Sequence, residues 1–293
     1  MFLNQTTYST GTGPRSVAIV DVNSDNKPDI IVTNWNSNTV SVLLNNGSGT
    51  FLTQTTYTTG SNPGLVAVVD VNSDNKPDII VANWNSSNVS VLVNNGSGTF
   101  LTQTTYATGS NPISVAVVDV KSDNKPDIIV SNWNSSNVSV LVNNGSGTFL
   151  TQTTYATGSN PFSVAAVDVN SDNKPDIIVA NKGSATVGVL LNTGSGTFLS
   201  QITYATGTGS RPYSVAVVDV NNDNKPDIIV ADANSNTIYV LLNAGSGTFL
   251  NQTTYATGTQ PYSVAVADVN NDNKPDIIVG NYGLNTVSVF LHC

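Results

Sequence analysis

The stretch Asp21-Val22-Asn23-Ser24-Asp25-Asn26-Lys27-Pro28-Asp29-Ile30-Ile31-Val32 decides how the rest of the chain is read. Its first nine residues return at Asp70, Asp119, Asp168, Asp219 and Asp268, at spacings of 49, 49, 49, 51 and 49 residues. A period of this length marks a repeat architecture, in which each unit is one supersecondary element stacked on its neighbours. The six copies hold eighteen of the nineteen acidic residues; the other is Asp232, and there is no Glu. Negative charge gathered into one type of loop points to bound cations.

Side-chain oxygens stand at positions 1, 3, 5 and 9 of the phrase, and position 7 can add its backbone carbonyl. Calcium takes six to eight oxygens at about 2.3–2.6 Å, and a D-x-N-x-D run aims successive oxygens at one centre. Asn26 stands where a sharp turn needs left-handed backbone, which Asn tolerates. An Asx-rich turn is the plain alternative, because Asp and Asn also bond their own backbone. Recurrence favours calcium: three carboxylates within nine residues repel one another unless a cation lies among them.

The expected ligands are Asp21, Asn23, Asp25, Lys27 (carbonyl) and Asp29 in the first copy. They are Asp70, Asn72, Asp74, Lys76 and Asp78 in the second, and Asp119, Asp123, Lys125 and Asp127 in the third. The fourth supplies Asp168, Asn170, Asp172, Lys174 and Asp176, and the fifth Asp219, Asn221, Asp223, Lys225 and Asp227. The sixth supplies Asp268, Asn270, Asp272, Lys274 and Asp276. Up to six Ca²⁺ ions are expected, one per unit. The third site is the doubtful one, because Lys121 replaces the position-3 Asn, removing an oxygen and adding a positive charge.

Around each loop lie short runs rich in Val, Ile, Thr and aromatics, separated by Asn, Gly, Ser and Pro, which is the pattern of all-β structure. In the second copy the predicted strands are 65–69, 78–82, 89–93 and 99–106. The first two are continuously apolar, as when both faces are covered; the fourth alternates, as at a half-exposed edge. Four strands per unit of 40–50 residues predict a six-bladed β-propeller, all-β, with four antiparallel strands per blade and the whole of 1–293 as one domain. The last unit stops after its third strand, and Phe2-Leu3-Asn4-Gln5-Thr6-Thr7-Tyr8 copies the missing fourth. That N-terminal strand is therefore expected to complete the sixth blade and close the ring. An open solenoid is the rival, but no polar caps are visible. The small residue recurring at Ala18, Ala67, Ala116, Ala165, Ala216 and Ala265 suits a crowded centre.

The loops and the G-S-G-T-F hairpins complete a resemblance. D-V-N-S-D-N-K-P-D-I-I-V followed by A-N-W-N-S and G-S-G-T-F is similar to the FG-GAP or VCBS repeat, found in integrin α-subunit propellers, some fungal lectins and many secreted microbial proteins. The resemblance covers all six units. It implies a propeller with calcium in the hairpin between the first and second strands of each blade, held by the residues named above. Integrin propellers have seven blades and this chain has six units, so no partner is carried over.

Antiparallel connections alternate between the two faces of a propeller. The calcium loops and hairpins share one face; the loops after the second strands and the linkers share the other, and there the copies differ. After the second strand they read Trp35, Trp84, Trp133, Lys182, Ala233 and Tyr282, and after the linker proline Arg15, Gly64, Ile113, Phe162, Tyr213 and Tyr262. Trp35, Trp84, Trp133, Tyr213, Tyr262 and Tyr282 are the candidate ligand contacts, because an aromatic face stacks on a sugar ring. The competing reading wedges them between blades, away from any ligand. The Tyr8, Tyr57, Tyr106, Tyr155, Tyr204 and Tyr255 series and the Phe of each G-T-F are assigned to packing.

The expected partner is a glycan or a protein on the face opposite the calcium loops, which makes the chain a multivalent lectin-like or adhesion module. A structural or engineered repeat scaffold without a small ligand is the alternative, with a calcium-assisted polysaccharide-active enzyme ranked after it. An enzyme is not expected, since His292 is the only His and no unique constellation breaks the sixfold pattern. A net charge of −9 argues against nucleic acid, and no apolar run is long enough to insert in a membrane. One cysteine, Cys293, allows no internal disulfide. Asn, Ser and Thr richness and triplets such as Asn85-Ser86-Ser87 lean toward an extracellular setting, with no targeting segment after Met1.

Overall fold

A computed structural model describes residues 5–292. The described residues are all-β: six successive antiparallel sheets, the first five built in the order first, second, third, fourth strand from the hub outward and the sixth from its first three. In the second blade these are Pro63–Val69, Asp78–Asn83, Asn88–Leu92 and Thr104–Ala107. First strands of neighbouring blades pack side by side around the centre. The backbones come very close there: a Cβ on Gly64 would lie 2.6 Å from the carbonyl oxygen of Ile113. Glycine and the recurring alanines suit that crowding.

The β-branched second strands form the middle of each blade, and Ile79, Ile80 and Val81 are all fully buried. The core therefore lies between blades. One cluster joins Val71, Ile80, Val89 and Val91 of the second blade to Ile128, Val130, Leu141 and Phe149 of the third. Burial of each such side chain contributes about 1.5–3 kcal/mol, so the interfaces hold the repeats together. The regular tyrosines pack edge-on against the hairpin phenylalanine of the next blade, as in Tyr57–Phe100 and Tyr106–Phe149, with ring centres 5.4 and 5.3 Å apart.

Two expectations change. The predicted strand 99–106 is two pieces: Thr99–Phe100 forms a separate two-stranded ribbon with Asn94–Gly96, and only Thr104–Ala107 joins the blade. The tight turn at Ser97 and Gly98 takes positive φ at both residues, 53° and 72°, and lifts the hairpin out of the sheet. Gly98 also lies against the first blade, where a Cβ would meet Leu44 at 2.6 Å. At the end of the chain, the sixth sheet has three strands among the described residues, Pro261–Ala267, Asp276–Asn281 and Thr286–Phe290. Gln5–Tyr8 form no strand there, and Phe2–Asn4 of the expected closing strand lie outside the described residues. Tyr8 does pack on Phe51 at 5.4 Å, as the other tyrosines pack on the following blade.

Candidate functional site

Each acidic loop curls through two left-handed residues. Ser24 and Asn26 have φ of 61° and 62°, and the same two positions are left-handed in all six copies. Asn26 was legible as such a position; Ser24 and its equivalents were not, although the Asn222 and Asn271 found there in the last two copies carried the hint. The curl gathers oxygens. Asp21 Oδ1 and Asn23 Oδ1 both accept from the backbone N–H of Asp25, at 3.3 and 3.1 Å, and Asp21 Oδ2 accepts from Asn26 N–H at 2.7 Å. Lys27 donates to Asp25 from its backbone at 2.9 Å and from Nζ at 3.2 Å.

The closing carboxylate has a different post. Asp78 is fully buried; its Oδ2 accepts from Val71 N–H at 2.9 Å and its Oδ1 from Asn94 N–H at 2.8 Å. Asn94 Nδ2 in turn donates to the carbonyl of Val22 in the preceding blade's loop, at 2.9 Å. Asn143, Asn192 and Asn243 repeat the clasp on Val71, Val120 and Val169. In the first five blades position 9 thus ties the loop to its own hairpin, and in the second to fifth the hairpin ties it to the loop before. His292 occupies the equivalent place in the sixth blade, where its backbone N–H donates to Asp276 at 2.8 Å.

Burial pushes Asp78, Asp127, Asp176 and Asp227 above the usual carboxylate range, and the loop carboxylates beside them add to the shift; Asp176 reaches about 6. A divalent cation would relieve that crowding, and the donors are the hard oxygens that calcium takes. The residues fit such an ion in five loops. The third lacks the position-3 oxygen, because Lys121 stands there and sets its ammonium 3.1 Å from Asp123 Oδ2, a carboxylate that in the other paired loops meets only the position-7 lysine. Among the described residues no group of three or more His, Cys, Asp or Glu is assembled as a ready cluster; the loop side chains are instead turned to backbone N–H groups and lysines.

On the opposite face the six candidate aromatics do meet. Trp35 and Trp84 lie 5.9 Å apart between ring centres, and Trp84 and Trp133 5.4 Å. Tyr213 stacks on Tyr262 at 4.3 Å, and Tyr262 on Tyr282 at 4.9 Å. Phe162, which the sequence reading named only as a variable position, joins Tyr213 at 4.8 Å. Each blade thus supplies a ring from one of two positions: after the second strand in blades one to three, after the linker proline in four and five, and from both in six. Ile113, at the second position, is fully buried instead. The rings touch one another across blade boundaries, as the wedging view expects, yet all remain half-buried or exposed. Linker asparagines hold the Trp backbones: Asn62 Nδ2 donates to the Trp35 carbonyl at 3.1 Å and Asn111 Nδ2 to that of Trp84 at 3.2 Å.

Cations missed by the sequence reading sit on this belt. Arg15 Cζ lies 4.1 Å from the Trp35 ring centre, and Lys182 Nζ 4.2 Å from that of Tyr213. Asp232, the one acidic residue outside the loops, is fully buried and structural. It accepts from Ser210 Oγ and from the N–H groups of Arg211, Asn234 and Ser235, at 2.9–3.1 Å for the last three. It replaces the Asn that ends the second strand in every other blade, in the one blade with the two-residue insertion. A carboxylate accepts from several donors at once, here Ser210 and Arg211 of the longer linker and Asn234 and Ser235 of the loop that follows its own strand.

The blade topology, the recurring acidic loops and the G-T-F hairpins define a repeat propeller. The chain belongs to the FG-GAP-like repeat family, whose pattern matches residues 21–81, 70–130, 119–179, 168–230 and 219–279. No curated protein matches it in sequence. Among solved structures it is similar to a putative 6-phosphogluconolactonase from Bacteroides fragilis, at TM-score 0.74 and 15% identity, over 96% of this chain and 80% of that one. It is also similar to virginiamycin B lyase from Staphylococcus aureus, at TM-score 0.65 and 15% identity, over 95% and 84%. A third is an Agrocybe aegerita lectin described as recognising non-reducing terminal N-acetylglucosamine, at TM-score 0.60 and 21% identity, over 94% and 80%. At these identities the likeness is one of fold.

Proposed function

We propose that this protein is a calcium-braced propeller that binds carbohydrate through the aromatic belt opposite its acidic loops. The observation that carries the reading is the belt itself: at least one ring from every blade, drawn from one of two sequence positions and left partly accessible on a rigid rim. Packing alone would not require the rings to stay half-open to solvent, and a flat apolar face flanked by Asn amides and Ser hydroxyls is suited to a pyranose ring and its hydroxyls. Six neighbouring blades would offer repeated weak contacts, and multivalency can raise avidity by about 10²–10⁴ where the geometry permits.

Calcium enters this reading as a brace held by Asp, Asn and a lysine carbonyl in each loop, five sites outright and the third weakened by Lys121. An extracellular setting, where calcium is abundant, suits it. A binding module is favoured over an enzyme because the only His, His292, stands at the end of the third strand of blade six, away from the belt, with its backbone N–H bonded to Asp276. A glycan array probed in calcium tests the reading, alongside Trp35, Trp84 and Trp133 replaced together by Ala. Binding that disappears in the triple variant while the melt is preserved supports it. An array blank across neutral and acidic classes would leave a scaffold without a small ligand.

A further inference from the structure

The repeat is broken most sharply at two places far apart in sequence, and the fold brings them together. Blade four reads Lys182-Gly183-Ser184-Ala185 where blade two reads Trp84-Asn85-Ser86-Ser87, and the linker to blade five carries the extra residues of Gly207-Thr208-Gly209-Ser210-Arg211. These two segments form facing walls of a cleft of about 630 Å³, with Trp133, Asn160 and Asn234 completing it. The walls differ from the other blades: Gly183 leaves Asn160 without the partner that Asn85, at the same position of the second blade, gives Asn62 through its side-chain amide. On the other wall, Asp232 fixes the inserted turn through Ser210 and the backbone of Arg211. The sixfold pattern of this face is therefore interrupted between blades four and five.

The charge on this face differs from that of the whole chain. Of ten Lys and Arg residues, seven lie in the acidic loops; the remaining three are Arg15, Lys182 and Arg211. All three lie on the aromatic face, two of them lining the cleft or its rim. The only carboxylate there is Asp232, buried and already accepting from four residues. Among the described residues none of the three cations has a carboxylate within ion-pair distance, whereas five loop lysines do. Burial, and then the neighbouring Arg211, push the Lys182 ammonium below its ordinary range. Two like charges share one cleft with no counter-ion from the protein.

Resting on the carbohydrate reading above, we propose that this cleft is the anchoring subsite for an acidic saccharide, its negatively charged oxygen group held by Lys182 and Arg211 and its ring against Trp133. A uronate carboxylate and a sulfate ester share this chemistry, and both match the fork of an arginine. The remaining belt aromatics would then take neighbouring sugars of the same chain.

Calorimetry on the full chain in calcium buffer tests this with four probes: oligogalacturonate, neutral galacto-oligosaccharide of equal length, a sulfated heparin oligosaccharide, and polyglutamate. The expected result is about tenfold tighter binding of at least one acidic sugar than of the neutral one, with the preference shrinking as salt rises. Which acidic sugar binds distinguishes uronate from sulfate. Lys182→Gln and Arg211→Gln should each bring the acidic-to-neutral ratio toward one without lowering the melting temperature, and Lys182→Arg should retain it. Equal affinity for acidic and neutral sugars, or variants that keep the preference, overturns the subsite and leaves the carbohydrate reading standing. Polyglutamate binding as well as oligogalacturonate overturns it in favour of bare charge. No sugar of either kind binding removes both.

Discussion

Blades four and six contain nearly the same third strand, Thr186-Val187-Gly188-Val189-Leu190 and Thr286-Val287-Ser288-Val289-Phe290, in opposite surroundings. Val187 and Val189 are fully buried, whereas Val287 and Val289 are 65% and 50% exposed. At the other end, Val17 and Ile19 of the first blade are 61% and 65% exposed. A valine on a blade is buried by the next blade and not by its own. The closing carboxylates make the same point: Asp176 is pushed up to about 6, chiefly by burial, while Asp276 is held below the usual range by the N–H groups of Val269 and His292. Identical motifs acquire different chemistry according to what is stacked on them.

The largest test of that contrast is a charge on each strand. Val187→Asp should destabilise the protein by about 3–5 kcal/mol, the cost of an unpaired buried charge, while Val287→Asp should leave the melting temperature nearly unchanged. Equal losses in thermal denaturation would break the comparison and show that the last sheet is covered in solution. Calcium removal should come next. A site filled at one hundred times its dissociation constant contributes about 2.7 kcal/mol, so excess chelator should lower the melting temperature markedly, and an unchanged melt would remove the brace. Calorimetric titration of Lys121→Asn should recover one additional ion over the native chain.

The inter-blade clasp gives a smaller and sharper difference. Asn94 donates both to Pro77 of its own blade and to Val22 of the preceding one, whereas Asn45 has only the Pro28 carbonyl. Asn94→Ala should cost about 1–3 kcal/mol, because it strands a buried carbonyl, and Asn45→Ala clearly less; chemical denaturation of the two variants decides. The smallest effect is with pH. In chelator, the folded state binds a proton on Asp176 more tightly than the unfolded chain does, so stability should rise as pH falls from about 7 through 6 toward 4. Asp276 acts in the opposite sense: its contribution is present above about pH 4 and is lost as pH falls through its lowered range. A melting temperature that falls between pH 7 and 5 in chelator would contradict the raised value at Asp176.

Much of the fold was legible because the repeat is so regular. Second strands such as Asp78-Ile79-Ile80-Val81 declared burial on both faces, and the loop residues on one face and the Trp, Tyr and linker positions on the other separated as alternating connections require. The fourth strand was misjudged because Thr99-Phe100 and Thr104-Thr105-Tyr106 have the same β character; only the irregular Leu101-Thr102-Gln103 separates them. For the candidate site, Trp35, Trp84 and Trp133 were visible as aromatics out of place in polar loops. Phe162, Arg15 and Lys182 were visible only as occupants of the two variable positions, because nothing in the spacing says which rings and cations of different blades meet.

The sequence alone determined the local matters: six units, β structure, loops whose crowded carboxylates suit a cation, and turns where Asn accepts left-handed backbone. These follow from spacing and from each residue's own conformational and electrostatic preferences. Only the tertiary structure decided which valines are core, which aspartates resist ionisation, and that Lys182, Arg211 and Asp232 belong to one neighbourhood. Burial and electrostatic coupling are properties of what lies alongside in space, and in a propeller that neighbour is about fifty residues away in the chain.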